Sequence, residues 1–239
     1  MLQSSEWSRA TQPNVIAAIP CFNTEPLIGD IVVKVKKHVH QVVVIDDGSH
    51  DGTAEAAKAA GALVVSHGAN RGYGEAIKSC FEAAKVNGTD ALIILDGDGQ
   101  HNPGELPSVL APILNSRADL VIGSRFLVKE HNMPRYRRFG ISVITWLYNL
   151  GSKDKVSDAQ SGLRAYSRKA LEAISLTEKG MSVSIEVLEQ GRRKKLVIKE
   201  VPISCAYSYS RLDVPAIRHG LRVALGVLRI RLKSRLYHT

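Results

Sequence analysis

The chain contains the segment Ala91-Leu92-Ile93-Ile94-Leu95-Asp96-Gly97-Asp98-Gly99-Gln100, in which an unbroken apolar run ends at acidic and glycine residues. A short, continuous apolar run is typical of a strand that is covered on both faces in a parallel sheet. Runs of the same kind occupy residues 15–19, 41–45, 62–66 and 120–122. Helical patterns separate them, at residues 27–38, 53–60, 73–86 and 105–116. This alternation predicts an α/β domain with a mostly parallel, doubly wound central sheet flanked by helices.

After residue 126 the alternation of strands and helices loosens. The pattern there predicts a helix at 141–150, a helix near 182–190, a strand at 196–201 and a final helix after Pro215. We therefore expect an N-terminal extension at residues 1–14, one domain at residues 15–207 and a basic amphipathic helix at residues 208–239.

Polar residues collect directly after the predicted strands. The clusters lie at residues 20–25, 46–53, 96–101 and 123–125. In an open parallel sheet the carboxyl ends of the strands share one edge, and ligands bind in the crevice beyond it. We therefore expect these clusters to form one binding site.

Asp96 and Asp98 are the strongest local signal for chemistry. Because side chains on a strand alternate, we expect both carboxylates to point to one side. Two adjacent carboxylates repel each other, and a hard divalent cation, Mg²⁺ or Mn²⁺, would relieve that repulsion and bridge to substrate phosphates. Gln100 continues the same spacing with a neutral oxygen. The alternative interpretation is a simple turn, since Asp and Gly are common turn residues.

Asp46 and Asp47 form a second acidic cluster, followed by Gly48. A carboxylate just beyond a parallel strand is well placed to accept hydrogen bonds from a ribose or a base. Glycine allows the chain to turn tightly there. Capping of the next helix explains the nearby Asp51 and Thr53, but it does not explain both Asp46 and Asp47.

The composition favours an anionic partner. The net charge is +9, and the only ionised side chains of residues 214–239 are the basic residues Arg218, Arg222, Arg229, Arg231, Lys233 and Arg235. Such a charge suits a nucleotide, an acidic lipid or a nucleic acid, and solubility is the alternative explanation for scattered charge. A nucleic acid is disfavoured, because aromatic residues make up only 5% of the chain and no recognition motif is present. The three cysteines form no CxxC pair, which argues against a disulfide or zinc framework and favours a reducing compartment.

Further basic residues lie near or beyond the fifth predicted strand. They are Arg125, Arg135, Arg137, Arg138 and Arg164. The planar guanidinium group suits phosphate because it can donate two parallel hydrogen bonds. For the three arginines at residues 135–138, a solvated loop is the alternative explanation.

The predicted C-terminal helix carries an apolar stripe beside a basic stripe. Apolar residues recur at steps of three and four from Ile217 to Leu232, and Arg218, Arg222 and Arg229 lie alongside. The pattern is typical of an amphipathic helix on an anionic membrane surface. Packing against the protein's own sheet, or against a second subunit of a homodimer, explains it equally well. No run reaches the roughly 20 apolar residues that span a bilayer, so the expected membrane association is peripheral.

Two common nucleotide-binding motifs do not fit this sequence. Gly72-Tyr73-Gly74 resembles the start of a dinucleotide fingerprint, but Ile77 occupies the third glycine position and the segment follows the third predicted strand. No GxxxxGK[ST] segment occurs. These observations disfavour a Rossmann dehydrogenase and exclude a P-loop protein.

Taken together, the motifs resemble those of the family 2 glycosyltransferases with the GT-A fold. More narrowly, they are similar to the dolichol-phosphate mannose synthase branch, the polyprenyl-phosphate glycosyltransferases. The resemblance covers residues 15–205 and keeps the order of the family's motifs. The matching segments are 19–25 (IPCFNTE), 46–53 (DDGSHDGT), 70–72 (NRG), 96–103 (DGDGQHNP), 123–125 (GSR) and 158–164 (DAQSGLR).

The resemblance implies a role for each cluster. The nucleotide-sugar site would be lined by Pro20, Phe22, Asn23, Glu25, Asp47, Gly48, Gly72, Asp96 and Gly97. The metal ligands would be Asp96, Asp98 and Gln100. Catalysis would involve Asp98, Arg125, Ser161, Arg164 and Arg138. Among these, the resemblance puts Arg125, Ser161 and Arg164 near the acceptor phosphate and Arg137 or Arg138 on a mobile acceptor loop.

The resemblance implies inverting transfer of a hexose, with mannose favoured, from GDP-mannose or a UDP-hexose to polyprenyl or dolichyl phosphate. A lipid phosphate is already an anionic nucleophile, whereas a hydroxyl acceptor would need a general base, for which Asp98 and Asp158 are candidates. Two alternatives stay open: an enzyme of the same fold that acts on a saccharide or other hydroxyl, and a non-catalytic module that binds nucleotide sugar or lipid. We expect a cytoplasmic protein that lies peripherally on the cytoplasmic face of the membrane.

Overall fold

The computed structural model describes residues 13–128, 133–152, 154–207 and 226. The strands are β1 (Val15–Cys21), β2 (Gln41–Asp46), β3 (Leu63–Ser66), β4 (Ala91–Ile94), β5 (Leu120–Ser124), β6 (Arg164–Ser167) and β7 (Ile198–Pro202). The helices are α1 (Glu25–Val35), α2 (Thr53–Ala59), α3 (Tyr73–Val86), α4 (Leu106–Leu114), α5 (Arg135–Asn149), α6 (Arg168–Ala173) and α7 (Val183–Arg193), and a 3-10 turn spans Pro103–Glu105.

These strands form one 7-stranded sheet in the order β3-β2-β1-β4-β6-β5-β7. β1 pairs in parallel with β2 and β4, β2 pairs in parallel with β3, and β5 pairs in parallel with β7. β6 runs antiparallel to both of its neighbours, β4 and β5. The predicted α/β class with a mostly parallel sheet is therefore confirmed.

The continuous apolar runs are explained by two cores, one on each face of the sheet. In β1, Ile16 and Ala18 belong to one core, whereas Ala17 and Ile19 belong to the other. Helices α3, α5, α6 and α7 complete the first core, and α1, α2 and α4 complete the second. Because both faces of the inner strands are covered, successive residues are apolar rather than alternating with polar ones.

The sequence pattern does not predict β6 or the following helix α6. β6 has only four residues, Arg-Ala-Tyr-Ser, and begins with a charged residue, so it has no apolar run to mark it. Its place between β4 and β5 depends on pairing with segments far away in the chain. β6 matters for function because it sets the spacing between the polar clusters that follow β4 and β5.

Helix α5 begins at Arg135, earlier than the predicted start at residue 141. The loop that the resemblance implies for Arg137 and Arg138 is wrong, because both residues lie in the first turns of this helix. Pro134 occupies the N-cap position, and its carbonyl accepts the first helical bond from the N–H of Arg138 (3.0 Å). Arginine is a good helix former, so the basic segment continues the helix rather than preceding it.

The remaining predicted elements are observed with small shifts of their ends. The helix predicted at 73–86 has the same bounds in α3, whereas α1 ends at Val35 and not at residue 38. The C-terminal helix predicted at 208–239 and most of the N-terminal extension lie outside the described residues, so the domain boundaries stay predictions. Among the helices that the structure describes, none is long and apolar enough to cross a membrane.

Candidate active site

The loops that follow β1, β2 and β4 are tied together by backbone hydrogen bonds. Asp47 N–H donates to the carbonyl of Cys21 (2.8 Å), and Gly97 N–H donates to the carbonyl of Pro20 (3.3 Å). A Cβ atom on Gly97 would lie 2.5 Å from Cys21 Sγ, so glycine allows this close approach. The polar clusters beyond these strands therefore share one edge of the sheet.

Asn23 and Glu25 connect the loop after β1 to the loop after β2. Asn23 Oδ1 accepts a hydrogen bond from His50 N–H (2.9 Å), and Glu25 Oε2 accepts one from Gly52 N–H (3.0 Å). Both side chains are thus engaged with backbone, and their predicted contacts with a nucleotide stay predictions. Phe22 is exposed and packs edge to face against the His50 ring, with 6.2 Å between ring centroids. Of this cluster, Phe22 offers an aromatic surface to a ligand, whereas Pro20 is buried in β1.

Asp47 anchors the loop that precedes α3. Its buried carboxylate accepts hydrogen bonds from the N–H groups of Arg71 (2.9 Å) and Gly72 (2.8 Å), and His67 Nδ1 lies 2.7 Å from Oδ1. This arrangement gives Asp47 a structural role that the sequence does not predict. A contact between Asp47 and a base or ribose stays a prediction.

Gly48 and Asp46 shape the turn that follows β2, next to Asp47. Gly48 has φ +76°, and a Cβ atom there would lie 2.4 Å from the carbonyl carbon of Ala69. Only glycine allows the loops after β2 and β3 to approach this closely. Asp46 Oδ1 accepts a hydrogen bond from Ser49 N–H (3.0 Å), which closes the turn after β2.

Asp96 lies at the centre of the site, with its side chain partly exposed. Tyr73 donates its hydroxyl hydrogen to Asp96 Oδ1 (3.2 Å), and His101 Nε2 lies 3.5 Å from Oδ2. Burial raises the pKa of Asp96, but the neighbouring His101 ring, the Tyr73 hydroxyl and the charge of Arg125 outweigh burial. The net pKa of Asp96 is therefore lowered, and the carboxyl group is ionised at neutral pH.

Asp98 is exposed and lies in a turn rather than on a strand. β4 ends at Ile94, so strand alternation does not orient Asp96 and Asp98, and that part of the sequence argument is wrong. The turn is made possible by Gly99, with φ +75°, and by a hydrogen bond from Gln100 N–H to Asp98 Oδ1 (3.0 Å). Desolvation by surrounding protein raises the pKa of Asp98, and the charge of Asp96 adds to that effect.

The donor set around Asp96 and Asp98 fits a divalent cation that is bound together with its substrate. Within the described ranges, no group of three or more His, Cys, Asp or Glu side chains is placed to enclose a metal ion. Mg²⁺ is commonly bound by one or two carboxylates plus substrate phosphates and water. The neighbouring carboxylates of Asp96 and Asp98 match that pattern. The side-chain oxygen of Gln100 lies 3.8 Å from Cys205 Sγ, and its role as a metal ligand stays a prediction.

Arg125 and Asp158 form a buried, bidentate ion pair. Arg125 Nε donates to Asp158 Oδ2 (2.7 Å) and Nη2 donates to Oδ1 (2.8 Å). Burial opposes the charge of Arg125, but the hydrogen bonds and charge of Asp158 raise its pKa above the ordinary value. The pair is braced from behind, because Glu200 on β7 accepts hydrogen bonds from the N–H groups of Ser157 (2.8 Å) and Asp158 (3.1 Å). Arg125 is therefore held in one orientation.

Arg137 reaches the same region from α5. Its guanidinium carbon lies 5.2 Å from the centroid of the Tyr207 ring, and Tyr207 Oη accepts a hydrogen bond from Arg125 Nη1 (3.4 Å). The charge of Arg137 also lowers the pKa of Asp98, although burial raises it more. Arg138 is exposed in the same turns of the helix. Positive charge from two separate elements thus lies beside the carboxylates of Asp96 and Asp98.

Ser161 and Arg164 are both buried, and Arg164 is engaged with backbone carbonyls. Arg164 is buried, and its guanidinium group donates to the carbonyls of Ala159 (2.8 Å) and Ser184 (2.8 Å). It braces the loop before β6 against α7. The Ser161 hydroxyl is buried beside a small cavity next to Tyr73 and has no hydrogen-bond partner within the described residues. A contact of either residue with the acceptor phosphate stays a prediction.

Gly162 positions Asp96 by leaving room for its carboxylate. A Cβ atom on Gly162 would lie 2.0 Å from Asp96 Oδ2 and 2.7 Å from Cγ. We expect Gly162→Ala to displace the Asp96 side chain and to lower turnover by roughly tenfold to a hundredfold. Initial rates at saturating donor measure the loss. Gly29→Ala on α1 is the control, because a Cβ atom there makes only an ordinary 3.8 Å contact. Equal rates for both variants would contradict this positioning role.

The sequence pattern gives no functional role to Tyr73, His101, Cys205 or Tyr207, which all line the site. His101 follows the acidic turn directly and could have been found from that position. Cys205 and Tyr207 reach the site because the segment after β7 returns to it, as shown by a bridge between His101 and Cys205 and a bond from Ala206 N–H to the Gln100 carbonyl (2.9 Å). Nothing local in the sequence marks that return.

Comparison with known proteins identifies relatives of this chain. The sequence model of the family described as Glycosyl transferase family 2 matches residues 16–175. A UDP-N-acetylglucosamine–dolichyl-phosphate N-acetylglucosaminyltransferase of Methanococcus voltae is 31% identical, over 90% of this chain and 94% of the relative. A polyprenol monophosphomannose synthase of Mycolicibacterium smegmatis is 32% identical, over 82% of this chain and 78% of the relative.

Solved structures show the same fold. Glucosyl-3-phosphoglycerate synthase from Mycobacterium tuberculosis, in complex with Mn²⁺, UDP-glucose and phosphoglyceric acid, superimposes with a TM-score of 0.73 at 21% sequence identity. The match covers 95% of this chain and 85% of that chain. The predicted GT-A class of fold is thereby confirmed.

Proposed function

The chain belongs to glycosyl transferase family 2, and from that premise we propose that it transfers a hexose from a nucleoside diphosphate sugar to a polyprenyl or dolichyl phosphate. One observation carries the proposal. At a single edge of the sheet, the carboxylates of Asp96 and Asp98 lie beside the positive charges of Arg125 and Arg137. That arrangement suits a reaction in which a diphosphate leaves and a second phosphate attacks.

The donor would occupy the side of the site formed by the loops after β1, β2 and β4. Phe22 offers an aromatic surface to the base, and the loops tied by Asp47 and Glu25 present a fixed wall. Asp96 and Asp98, with Gln100 beside them, would hold Mg²⁺ or Mn²⁺ against the diphosphate. When bound, such a cation offsets the charge that builds on the departing diphosphate.

The acceptor side favours a phosphate over a hydroxyl group. Asp158 is one of two candidate bases for a hydroxyl acceptor, but both of its oxygens are bonded to Arg125 and it is fully buried. A phosphate acceptor is ionised at neutral pH and needs cationic groups rather than a base. Arg137, whose guanidinium group lies over the Tyr207 ring, would supply such a group, whereas the charge of Arg125 is already paired with Asp158. One relative described above is named for dolichyl phosphate and the other for a polyprenol-linked monophosphomannose, and both names support the same assignment.

The sugar is the least constrained part of the proposal. Mannose is expected from the resemblance, whereas the two relatives carry the names of an N-acetylglucosaminyl and a mannosyl enzyme. We retain mannose from GDP-mannose as the first donor to test and a UDP-hexose or UDP-N-acetylglucosamine as the next. Because the acceptor is a membrane lipid, the protein would act at the cytoplasmic surface of the membrane.

A partition assay tests the proposal. The full-length protein is incubated with vesicles that contain polyprenyl phosphate and with one radiolabelled nucleotide sugar at a time. We expect label to enter the organic phase with one donor, and EDTA to abolish the transfer. Adding back Mg²⁺ or Mn²⁺ separately shows which ion supports sugar transfer.

Two results would reject this function. Label transferred only to water-soluble saccharides would favour the alternative hydroxyl acceptor. Donor binding, measured by calorimetry, without transfer to any acceptor would favour a binding module. Asp98→Ala protein serves as the blank for both measurements.

A further inference from the structure

The segment Gly72-Tyr73-Gly74 does not fit a dinucleotide fingerprint, yet the structure places it beside the active site. α3 begins at Tyr73, and Gly72 occupies its N-cap position with φ +91°. A backbone with this φ favours glycine. The side chain of Tyr73 leaves the helix at its first residue and reaches Asp96 at the centre of the site. The segment therefore joins α3 to the acidic turn after β4.

The carboxylate of Asp96 has a neighbour at each of its two oxygens. Tyr73 donates its hydroxyl hydrogen to Oδ1 (3.2 Å). At Oδ2, His101 Nε2 lies at 3.5 Å, and the backbone of Gly162 comes so close that a Cβ atom there would overlap the carboxylate. A tyrosine hydroxyl is protonated at neutral pH, so it acts as a donor to the ionised carboxylate. Tyr73 therefore restricts the rotation of the Asp96 side chain.

The loop after β2 fixes the backbone in front of Tyr73. The carboxylate of Asp47 accepts hydrogen bonds from the N–H groups of Arg71 (2.9 Å) and Gly72 (2.8 Å), the two residues that precede Tyr73. Asp47 is buried, and hydrogen bonds to a buried charged group are costly to break. Tyr73 thus connects the loop after β2 with the carboxylate after β4.

The segment before α7 also holds the first turn of α3. Gly74 N–H donates to the carbonyl of Lys179 (3.0 Å), and a Cβ atom on Gly74 would overlap the carbonyl oxygen of Glu178. That segment is held in turn by the buried Glu186 on α7, whose carboxylate accepts a hydrogen bond from Glu178 N–H (2.9 Å). Glycine at position 74 allows this close packing, and Tyr73 lies between two sets of hydrogen bonds.

Two explanations exist for a tyrosine hydroxyl at this place. It could satisfy a carboxylate that would otherwise lack a hydrogen bond, or it could orient that carboxylate. The side chain of Asp96 is 30% exposed, so water can hydrogen-bond to it without help from Tyr73. Water cannot supply a fixed orientation, whereas hydrogen bonds from the surrounding protein commonly orient the ligands of a metal ion. The exposure of Asp96 therefore favours the second explanation.

We propose that Tyr73 is a positioning residue, which holds the Asp96 carboxylate in the orientation that binds a divalent cation together with a nucleoside diphosphate. This inference rests on the proposed function, in which Asp96 and Asp98 hold that cation. It follows that the Tyr73 hydroxyl sets how much the cation tightens nucleotide binding. The binding of the nucleotide without a cation does not depend on this hydroxyl.

Tyr73→Phe tests the proposal, because it removes the hydroxyl and keeps the ring. Binding of UDP, and in a second series of GDP, to the full-length protein is measured by calorimetry with saturating Mn²⁺ and again with EDTA. The ratio of the two dissociation constants, which we call the Mn²⁺ factor, states how much the cation tightens nucleotide binding. We expect Tyr73→Phe to lower the Mn²⁺ factor about tenfold, as is typical when a hydrogen-bond partner of a metal ligand is removed. The dissociation constant in EDTA should stay unaltered.

The matched control is Tyr148→Phe. Tyr148 is fully buried on α5, in the same core against which Tyr73 packs, so the control makes the same chemical change on another helix. We expect it to keep the Mn²⁺ factor of the original protein, and urea unfolding checks the fold of both variants. An equal loss in both variants would reflect the removal of any core hydroxyl and would overturn the proposal.

Other results would also overturn the proposal. An unaltered Mn²⁺ factor in Tyr73→Phe would show that Asp96 is oriented without the hydroxyl. An equal weakening of nucleotide binding with Mn²⁺ and with EDTA would assign Tyr73 to the wall of the nucleotide site. A Tyr73→Phe protein that does not fold would make the hydroxyl a structural group. An original protein whose nucleotide binding does not respond to Mn²⁺ would leave Tyr73 nothing to position.

Failure of this inference and failure of the proposed function give different results. In the partition assay, we expect Tyr73→Phe to raise the Mn²⁺ concentration for half-maximal rate about tenfold and to leave the KM of the lipid acceptor unaltered. An unaltered Mn²⁺ factor with normal lipid-linked product would reject the role of Tyr73 and keep the function. A lowered Mn²⁺ factor without lipid-linked product from any donor would keep the role of Tyr73 and reject the function.

Discussion

Asp98→Ala is expected to lower the rate of sugar transfer by about a thousandfold or more, which corresponds to a loss of about 4 kcal/mol of transition-state stabilisation. Asp98 is exposed, and its one described hydrogen bond is the turn contact from Gln100 N–H. Removing the carboxylate therefore affects the diphosphate end of the site and not the core. Initial rates measure the loss, and urea unfolding checks that the fold is unaltered.

The matched control for this variant is Asp30→Ala. Asp30 is an exposed aspartate on α1 whose partner, Lys34, lies on the same helix. We expect turnover of Asp30→Ala within about twofold of the original protein, because an exposed ion pair within one helix contributes little. Near-normal turnover by Asp98→Ala would contradict the role of the acidic pair in holding the donor.

Asp158→Ala is expected to destabilise the protein by about 3–5 kcal/mol, because the buried guanidinium group of Arg125 would lose its paired charge. Both oxygens of Asp158 take part in this pair, and Asp158 itself is fully buried. The loss is measured as the change in free energy of unfolding in urea at neutral pH.

A second substitution shows how much of the lost stability comes from the unpaired charge of Arg125. Adding Arg125→Met to Asp158→Ala removes the unpaired charge, so the double variant should lose less stability than the sum of the two single variants. Additive losses, or a loss below about 1 kcal/mol for Asp158→Ala, would show that the pair is not a structural unit.

Local sequence patterns are sufficient to predict the strands that are covered by helices on both faces. The apolar runs at β1, β2 and β4 predict strands because each is enclosed by helices on both faces. The same patterns place Asp96, Asp98 and Arg125 beyond strand ends, and the structure brings them to one edge. The orientation of the acidic pair depends on a turn at Gly97 and Gly99, which strand alternation cannot describe.

Contacts between distant segments account for what the sequence does not predict. The pattern of the sequence cannot show that Asp158 engages Arg125, that Arg164 turns inward to the carbonyl of Ser184, or that Tyr207 returns to the site. Each of these depends on β6 and β7, whose places in the sheet are set by pairing with strands far along the chain. The identity of a side chain shows that an arginine is cationic. It does not show whether that arginine holds two protein segments together or binds a phosphate.

Strand β6 sets the order in which the molecule can be assembled on the ribosome. β4 and β5 are both synthesised before β6, yet each has β6 as its neighbour in the finished sheet. Until residue 167 emerges, the nascent chain has an open edge on β4, and Asp96 and Arg125 are not joined by a common sheet. A fragment released before that point would present this unpaired edge and self-associate. The edge of the sheet that carries Asp96 and Arg125 is therefore complete only after β6 has been synthesised.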